Sequence, residues 1–249
     1  MVDLAIIGGT GLDTLKGLTI THREMVNTPY GQPSSPLTFG EVCGYSVVFL
    51  ARHGSAHTIP PHLVNYRANL WALAESGVNK IIAVAAVGGI RQDMSPGKIV
   101  FPNQIIDYTW SRQNTYFEGH QGVKHIDFTW PYCDELRKLL IDAAKDASLD
   151  PVIDGTYAAT QGPRLETAAE IMRLAKDGCD IVGMTGMPEA ALARELEICY
   201  ASCAVVANWA AGKSDTDISM EIIEENLKAG MQSVRKLLDH ALPKLLQDR

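Results

Sequence analysis

Ile81-Ile-Ala-Val-Ala-Ala-Val87, an apolar run of strand length that stops at Gly88-Gly89, decides the fold. A run this short, bounded by glycine, reads as a buried strand rather than a helix. Two others follow the same rule. Leu4-Ala-Ile-Ile7 stops at Gly8-Gly9, and Ser46-Val-Val-Phe-Leu50 stops just before Arg52-His53-Gly54. Between and after them come stretches with helical spacing: residues 65–76, ending at Gly77, and the longer 134–147 and 221–246, both with charged faces. Strand and helix alternate along the whole length. That predicts an α/β fold over residues 1–249, a single domain with a central mixed, largely parallel β-sheet flanked by helices. Ligands of such sheets collect at the carboxyl ends of the strands, where the glycine and polar motifs fall.

Composition agrees with an enzyme of one core. A chain of 249 residues, 46% hydrophobic, can bury a sizeable interior in one domain. The five cysteines are odd in number and show no CxxC pairing, which favours neither a disulfide framework nor a zinc site. Cys199 and Cys203, four apart in an apolar run, read as small core residues. A net charge of −7 disfavours nucleic acid as a partner but allows an anionic small molecule, which needs only a local set of donors. No apolar span of membrane length and no basic leader is seen. The expectation is a cytoplasmic, reduced enzyme that binds no membrane.

Several motifs offer anion chemistry. Gly8-Gly-Thr-Gly11 after a strand can turn backbone N–H groups toward an anion, with the Thr10 hydroxyl as a further donor. As a dinucleotide fingerprint, Gly9-Thr-Gly11-Leu-Asp-Thr14 lacks the third glycine, and Ala207-Asn-Trp-Ala-Ala-Gly212-Lys213-Ser214 lacks the first glycine of a triphosphate loop. Arg52-His53 at a strand end can present a planar guanidinium fork and a ring donor to a tetrahedral oxyanion; a surface salt bridge with a capping histidine fits the same spacing. Under the first reading, replacing Arg52 weakens anion binding and leaves folding intact. His57 and His62 flank the Pro60-Pro61 turn and suit structural and functional roles equally; His22, His120 and His240 carry no motif.

Taken together and in order, Gly8-Gly9-Thr10-Gly11, Arg52-His53-Gly54, Gly88-Gly89, Thr160-Gln-Gly-Pro-Arg-Leu-Glu166-Thr167, Met184-Thr-Gly-Met-Pro188-Glu189 and Val206-Ala-Asn208-Trp209-Ala210 resemble the trimeric purine nucleoside phosphorylases of the methylthioadenosine phosphorylase branch. The resemblance spans nearly the whole chain. It implies a site for inorganic phosphate built from Thr10, Arg52, His53 and Thr185, closed by the backbone of Ala85 and Ala86. Methylthioadenosine phosphorylases usually carry threonine where this chain has Ala85, so one side-chain donor is absent. It also implies a nucleoside site of Glu166, Met184, Asn208, Trp209, Ala210 and Met220. His125 is expected to reach the neighbouring subunit of a homotrimer. Glu166, Asn208 and His53 are the candidate catalytic residues. Phosphate is the co-substrate, and neither a metal nor an organic cofactor is expected.

Two positions bear on the substrate. Relatives that cleave adenine nucleosides place an aspartate where this chain has Asn208 and a second acid where it has Ala210. The Asn208 amide can donate to O6 or N7 of a 6-oxopurine, and Glu166 can accept the N1–H that adenine lacks. A mismatch would leave a buried polar group unpaired, at about 1–3 kcal/mol. At the sugar, a histidine suits a 5′-hydroxyl, whereas Met220 suits a methylthio group. The expected reaction is phosphorolysis of S-methyl-5′-thioinosine to hypoxanthine and 5-methylthioribose 1-phosphate. Inosine or guanosine, methylthioadenosine, and non-catalytic nucleoside binding are the alternatives.

Overall fold

The computed structural model describes residues 3–12, 15, 17–119, 122–215 and 217–246; His120 and the Asp13-Thr14 end of the incomplete glycine fingerprint lie outside the described residues. In chain order the strands are β1 (Leu4–Gly8), β2 (Thr19–Glu24), β3 (Leu37–Val42), β4 (Tyr45–Ala51), β5 (Lys80–Gly89), β6 (Ile99–Val100), β7 (Gln104–Asp107), β8 (Thr156–Ala159), β9 (Ile181–Gly183) and β10 (Cys199–Trp209). The helices are α1 (Tyr66–Glu75), α2 (Asp134–Asp146), α3 (Ala168–Lys176), α4 (Gly186–Glu195) and α5 (Met220–Leu246). The strands form one sheet in the order β2-β3-β4-β1-β5-β9-β8-β7, with β10 on β5 and β6 on β10. β1 runs parallel to β4 and β5, β10 to β5, and β8 to β7 and β9. The remaining pairings are antiparallel, so the sheet is mixed as expected.

The apolar runs are buried on both faces because helices cover both. Leu4, Ile6, Ile82, Val84, Cys203 and Val205 point into a core shared with α2 and α5. Their strand neighbours Ala5, Ile7, Ile81, Ala83, Ala204 and Val206 point into a second core with α1 and α4. This is the two-residue period of a strand with no solvated side. Asn65 caps α1 by accepting from the Ala68 amide at 3.1 Å. α5 crosses β10 so closely that a Cβ at Gly230 would fall 2.2 Å from a Val205 methyl carbon.

Two expectations are corrected. β5 does not stop before Gly88-Gly89 but runs through both, which pair with Val182 and Ile181 of β9. A Cβ on Gly89 would stand 2.0 Å from the Met94 carbonyl oxygen, so glycine is needed for close backbone approach rather than for a strand end. The Val206–Trp209 stretch of the last motif is the end of β10. Cys199 is no isolated core thiol: it forms a disulfide with Cys133, 66 residues away, joining the start of β10 to the cap of α2. The partner was invisible because spacing along the chain says nothing about which strand start faces which helix start. Cys203 is buried as expected. No described helix is long and apolar enough to cross a membrane.

Candidate active site

A cavity of about 450 Å³ opens over the second half of β5 and the carboxyl ends of β1, β4, β8, β9 and β10. Thr10, Arg52, His53, Ala85, Ala86, Glu166, Met184, Thr185, Asn208, Ala210 and Met220 all line it. Eleven of the thirteen sequence candidates are thus brought together. Trp209 is half-buried but does not line the cavity, and the exposed His125 lies away from the cavity of its own chain.

Arg52 is positioned by β4 and is only 1% exposed. Its fork is bidentate, but toward a carboxylate of the protein. Nε donates to Glu189 Oε2 at 2.7 Å and Nη2 to Oε1 at 2.8 Å, while Nη1 donates to the Val84 carbonyl at 2.9 Å. Glu189 is fully buried in the first turn of α4 and also accepts from the Tyr200 hydroxyl at 2.8 Å. Burial alone would lower the Arg52 pKa, yet Glu189 outweighs it and holds the guanidinium above its ordinary value. The cation is therefore balanced inside the protein, and an anion in the cavity meets only its remaining N–H groups. The expectation that Arg52 can be removed without harm to folding is corrected, because removal would leave a carboxylate buried and unpaired. Gly9 makes room for this arrangement: a Cβ there would fall 2.8 Å from Arg52 Nη1.

His53 follows Arg52, with Nδ1 at 2.8 Å from the Ile59 carbonyl. Burial first, then the adjacent Arg52, pushes its pKa down to about 4. At neutral pH the ring is uncharged, its single N–H faces Ile59, and Nε2 is an acceptor. The Nδ1–H is thus committed to Ile59, and Nε2 is the ring atom left to face an anion. His57, which could be read either way, also lines the cavity, with its ring 4.8 Å from that of His53 and Nε2 at 3.4 Å from the Thr10 hydroxyl.

Glu166 stands on the segment between β8 and α3. Thr167 caps α3 through a reciprocal pair with Glu170, and Arg164 grips the same Glu170 carboxylate at 2.8 and 2.7 Å. With both flanks fixed, one Glu166 oxygen takes the Thr160 hydroxyl at 2.6 Å and the other stays available as an acceptor. Asn208 owes its place to a bulge. Val206 pairs with Val87 and Asn208 with Gly88, so Ala207 is an extra residue in β10, and the amide is turned toward the cavity. The displaced Ala207 carbonyl is satisfied by Asn226 of α5 at 2.8 Å. Asn208 Nδ2 donates one hydrogen to the Trp209 carbonyl at 2.7 Å and keeps its second. Met220, Ile218 and Ile223 form an apolar wall where α5 begins.

Glu189, Tyr200 and Thr160 were missed as parts of the site. Glu189 carried a signal, an acid directly after Pro188 and ahead of the apolar run Ala190-Ala-Leu-Ala193; Tyr200 carried none.

Comparison with known proteins identifies the family and the fold. The profile of the phosphorylase superfamily matches residues 3–243. A probable S-methyl-5′-thioinosine phosphorylase of Pseudomonas syringae pv. tomato is 53% identical over 97% of this chain and 99% of its own. A 6-oxopurine nucleoside phosphorylase of Pyrococcus furiosus is 46% identical over 100% and 95%. The solved methylthioadenosine phosphorylase of Schistosoma mansoni in complex with adenine superposes with a TM-score of 0.94 at 34% identity, over 100% of this chain and 93% of that one. Motifs, sheet topology and similarity over the full length converge: the chain belongs to the phosphorylase superfamily and has the nucleoside phosphorylase fold.

Proposed function

We propose that the chain is a pentosyltransferase that cleaves a 6-oxopurine nucleoside with phosphate, and that its substrate is S-methyl-5′-thioinosine. One observation carries this reading: a single cavity holds the Asn208 amide and the Glu166 carboxylate together with the apolar Ile218, Met220 and Ile223. The amide donates to O6 or N7, the free carboxylate oxygen accepts N1–H, and the thioether and isoleucines accept a methylthio group without demanding a hydrogen bond.

The reaction follows from the parts. As the bond from C1′ to N9 loosens, positive charge grows on the ribosyl ring and negative charge on the departing purine. Phosphate, held by the Thr10 and Thr185 hydroxyls, the free N–H groups of Arg52 and the Ala85-Ala86 backbone, attacks C1′, and the electron pair of the broken bond goes to the base. Asn208 stabilises that charge by hydrogen bonding. Neutral His53 accepts the phosphate O–H and so selects its hydrogen-bearing form. Met184 walls the ribose. No metal or organic cofactor takes part, and a homotrimer supplies His125 to the adjacent site.

A panel of nucleosides with and without phosphate tests the reading. Hypoxanthine release from methylthioinosine should depend strictly on phosphate and exceed turnover of inosine and methylthioadenosine. Faster cleavage of methylthioadenosine would refute the roles of Asn208 and Glu166, whereas faster cleavage of inosine would refute that of Met220. Inosine or guanosine phosphorolysis is the second reading, favoured by the similarity to the Pyrococcus enzyme.

A further inference from the structure

Arg112 lies in the long connection between β7 and α2, where no sequence motif marked it. The connection is anchored just beyond Arg112: the Thr115 hydroxyl and the Tyr116 amide both donate to Glu195 at 2.7 Å, and the Tyr116 hydroxyl to the Arg67 carbonyl at 2.9 Å. From there the Arg112 guanidinium stacks over Tyr66, 5.6 Å from the ring centre, and divides its donors between two segments. Nη1 donates to the carbonyls of Met184 and Met187 at 2.8 and 2.6 Å. Nη2 donates to those of Thr160 and Gln161 at 3.2 and 2.8 Å, and Nε to the Gln161 side-chain oxygen at 3.2 Å. These acceptors are uncharged, so the group is no ion pair but a five-donor fork fitted to four backbone carbonyls and one side-chain amide oxygen.

The two segments are the ones that carry Glu166 and Met184-Thr185 into the cavity. They also touch directly, since a Cβ on Gly162 would stand 2.3 Å from the Met184 sulfur. We propose that Arg112 is a positioning residue that locks the base-facing segment, 160–166, and the ribose-facing segment, 184–187, into one body, so that base and sugar are recognised together. Most of the phosphate end is held separately, through Arg52 with Glu189, and only Thr185 is shared with the clamped segment. This rests on the assignment of the cavity to a nucleoside.

The test compares R112M and R112K with wild type. In both variants the nucleoside KM should rise by about tenfold or more, the factor that about 1.4 kcal/mol gives, while the phosphate KM, touched only through Thr185, rises by clearly less. Lysine keeps the charge but cannot span both segments, so R112K should not rescue. Hydrogen exchange should quicken in 160–166 and 184–187 together, with 80–87 unchanged. Wild-type kinetics in R112K, a phosphate KM that rises in step, or loosening of only one segment would overturn the proposal. If R112M does not fold, R112K decides alone. If the wild-type protein cleaves no nucleoside, the functional reading fails, and the exchange pattern still decides whether the clamp exists.

Discussion

At the scale of single residues, the site is governed by where charge is already neutralised. Arg52 and Glu189 form a buried bidentate pair in which Tyr200 shares, so truncating either partner leaves the other unpaired in the interior. Arg52→Ala should cost about 3–5 kcal/mol. In a chain of this size that lowers the melting temperature by roughly 10 °C, measurable by calorimetry; an unchanged melting temperature would show the pair to be dispensable. His53 makes the complementary prediction in pH. Its folded pKa, about 4, lies below the ordinary 6.5, so between these values the unfolded chain binds a proton that the folded chain refuses. Its contribution is fully present above pH 6.5 and is lost as pH falls toward 4. Denaturant midpoints of wild type and His53→Gln should therefore diverge with rising pH across that window. Parallel curves would mean that the ring titrates normally.

At the scale of elements, the catalytic end of β10 is fixed from behind by α5. Gly230 lets the helix press on Val205, Asn226 holds the bulged Ala207 carbonyl, and the same helix begins with Met220 at the cavity. Gly230→Ala drives a Cβ into Val205 and should destabilise by about 1–3 kcal/mol. It should also raise the KM for a methylthio nucleoside more than that for phosphate, because Met220 and the Asn208 bulge move with α5 while β4 does not; equal changes would argue against this linkage. Such coupling also explains what could be read from sequence. The strands Leu4–Gly8 and Tyr45–Ala51 and the helices Tyr66–Glu75, Asp134–Asp146 and Met220–Leu246 were legible because burial period and chain-breaking residues are local signals. The same holds for the polar residues at strand ends. The bulge at Ala207, the passage of β5 through its glycines, the Cys133–Cys199 bond and the partnership of Arg52 with Glu189 were not legible. Each depends on two distant segments meeting, which no local pattern encodes.

At the scale of the molecule, what the single chain leaves exposed bears on assembly. The connection between β7 and α2 carries Trp110, Val123 and Trp130, exposed by 66%, 80% and 64%, in the same stretch as His125. Exposed apolar surface marks an interaction site where it is contiguous, and Met220 at the cavity mouth is itself 60% exposed. A neighbouring subunit that laid this stretch over Met220 would cover both and deliver His125 to the 5′ end of the nucleoside, as the proposed trimer requires. Cyclic symmetry makes the arrangement testable, because each site would then draw on two chains. His125→Ala should weaken binding of a methylthio nucleoside, and Asn208→Ala should impair the chemistry of its own cavity. When the two variants are mixed and allowed to exchange subunits, some sites combine an intact Asn208 from one chain with an intact His125 from another. Specific activity should then exceed the average of the separate variants, with sedimentation showing three chains per particle. Activity equal to that average, or full wild-type activity from a monomer, would place the complete site within one chain.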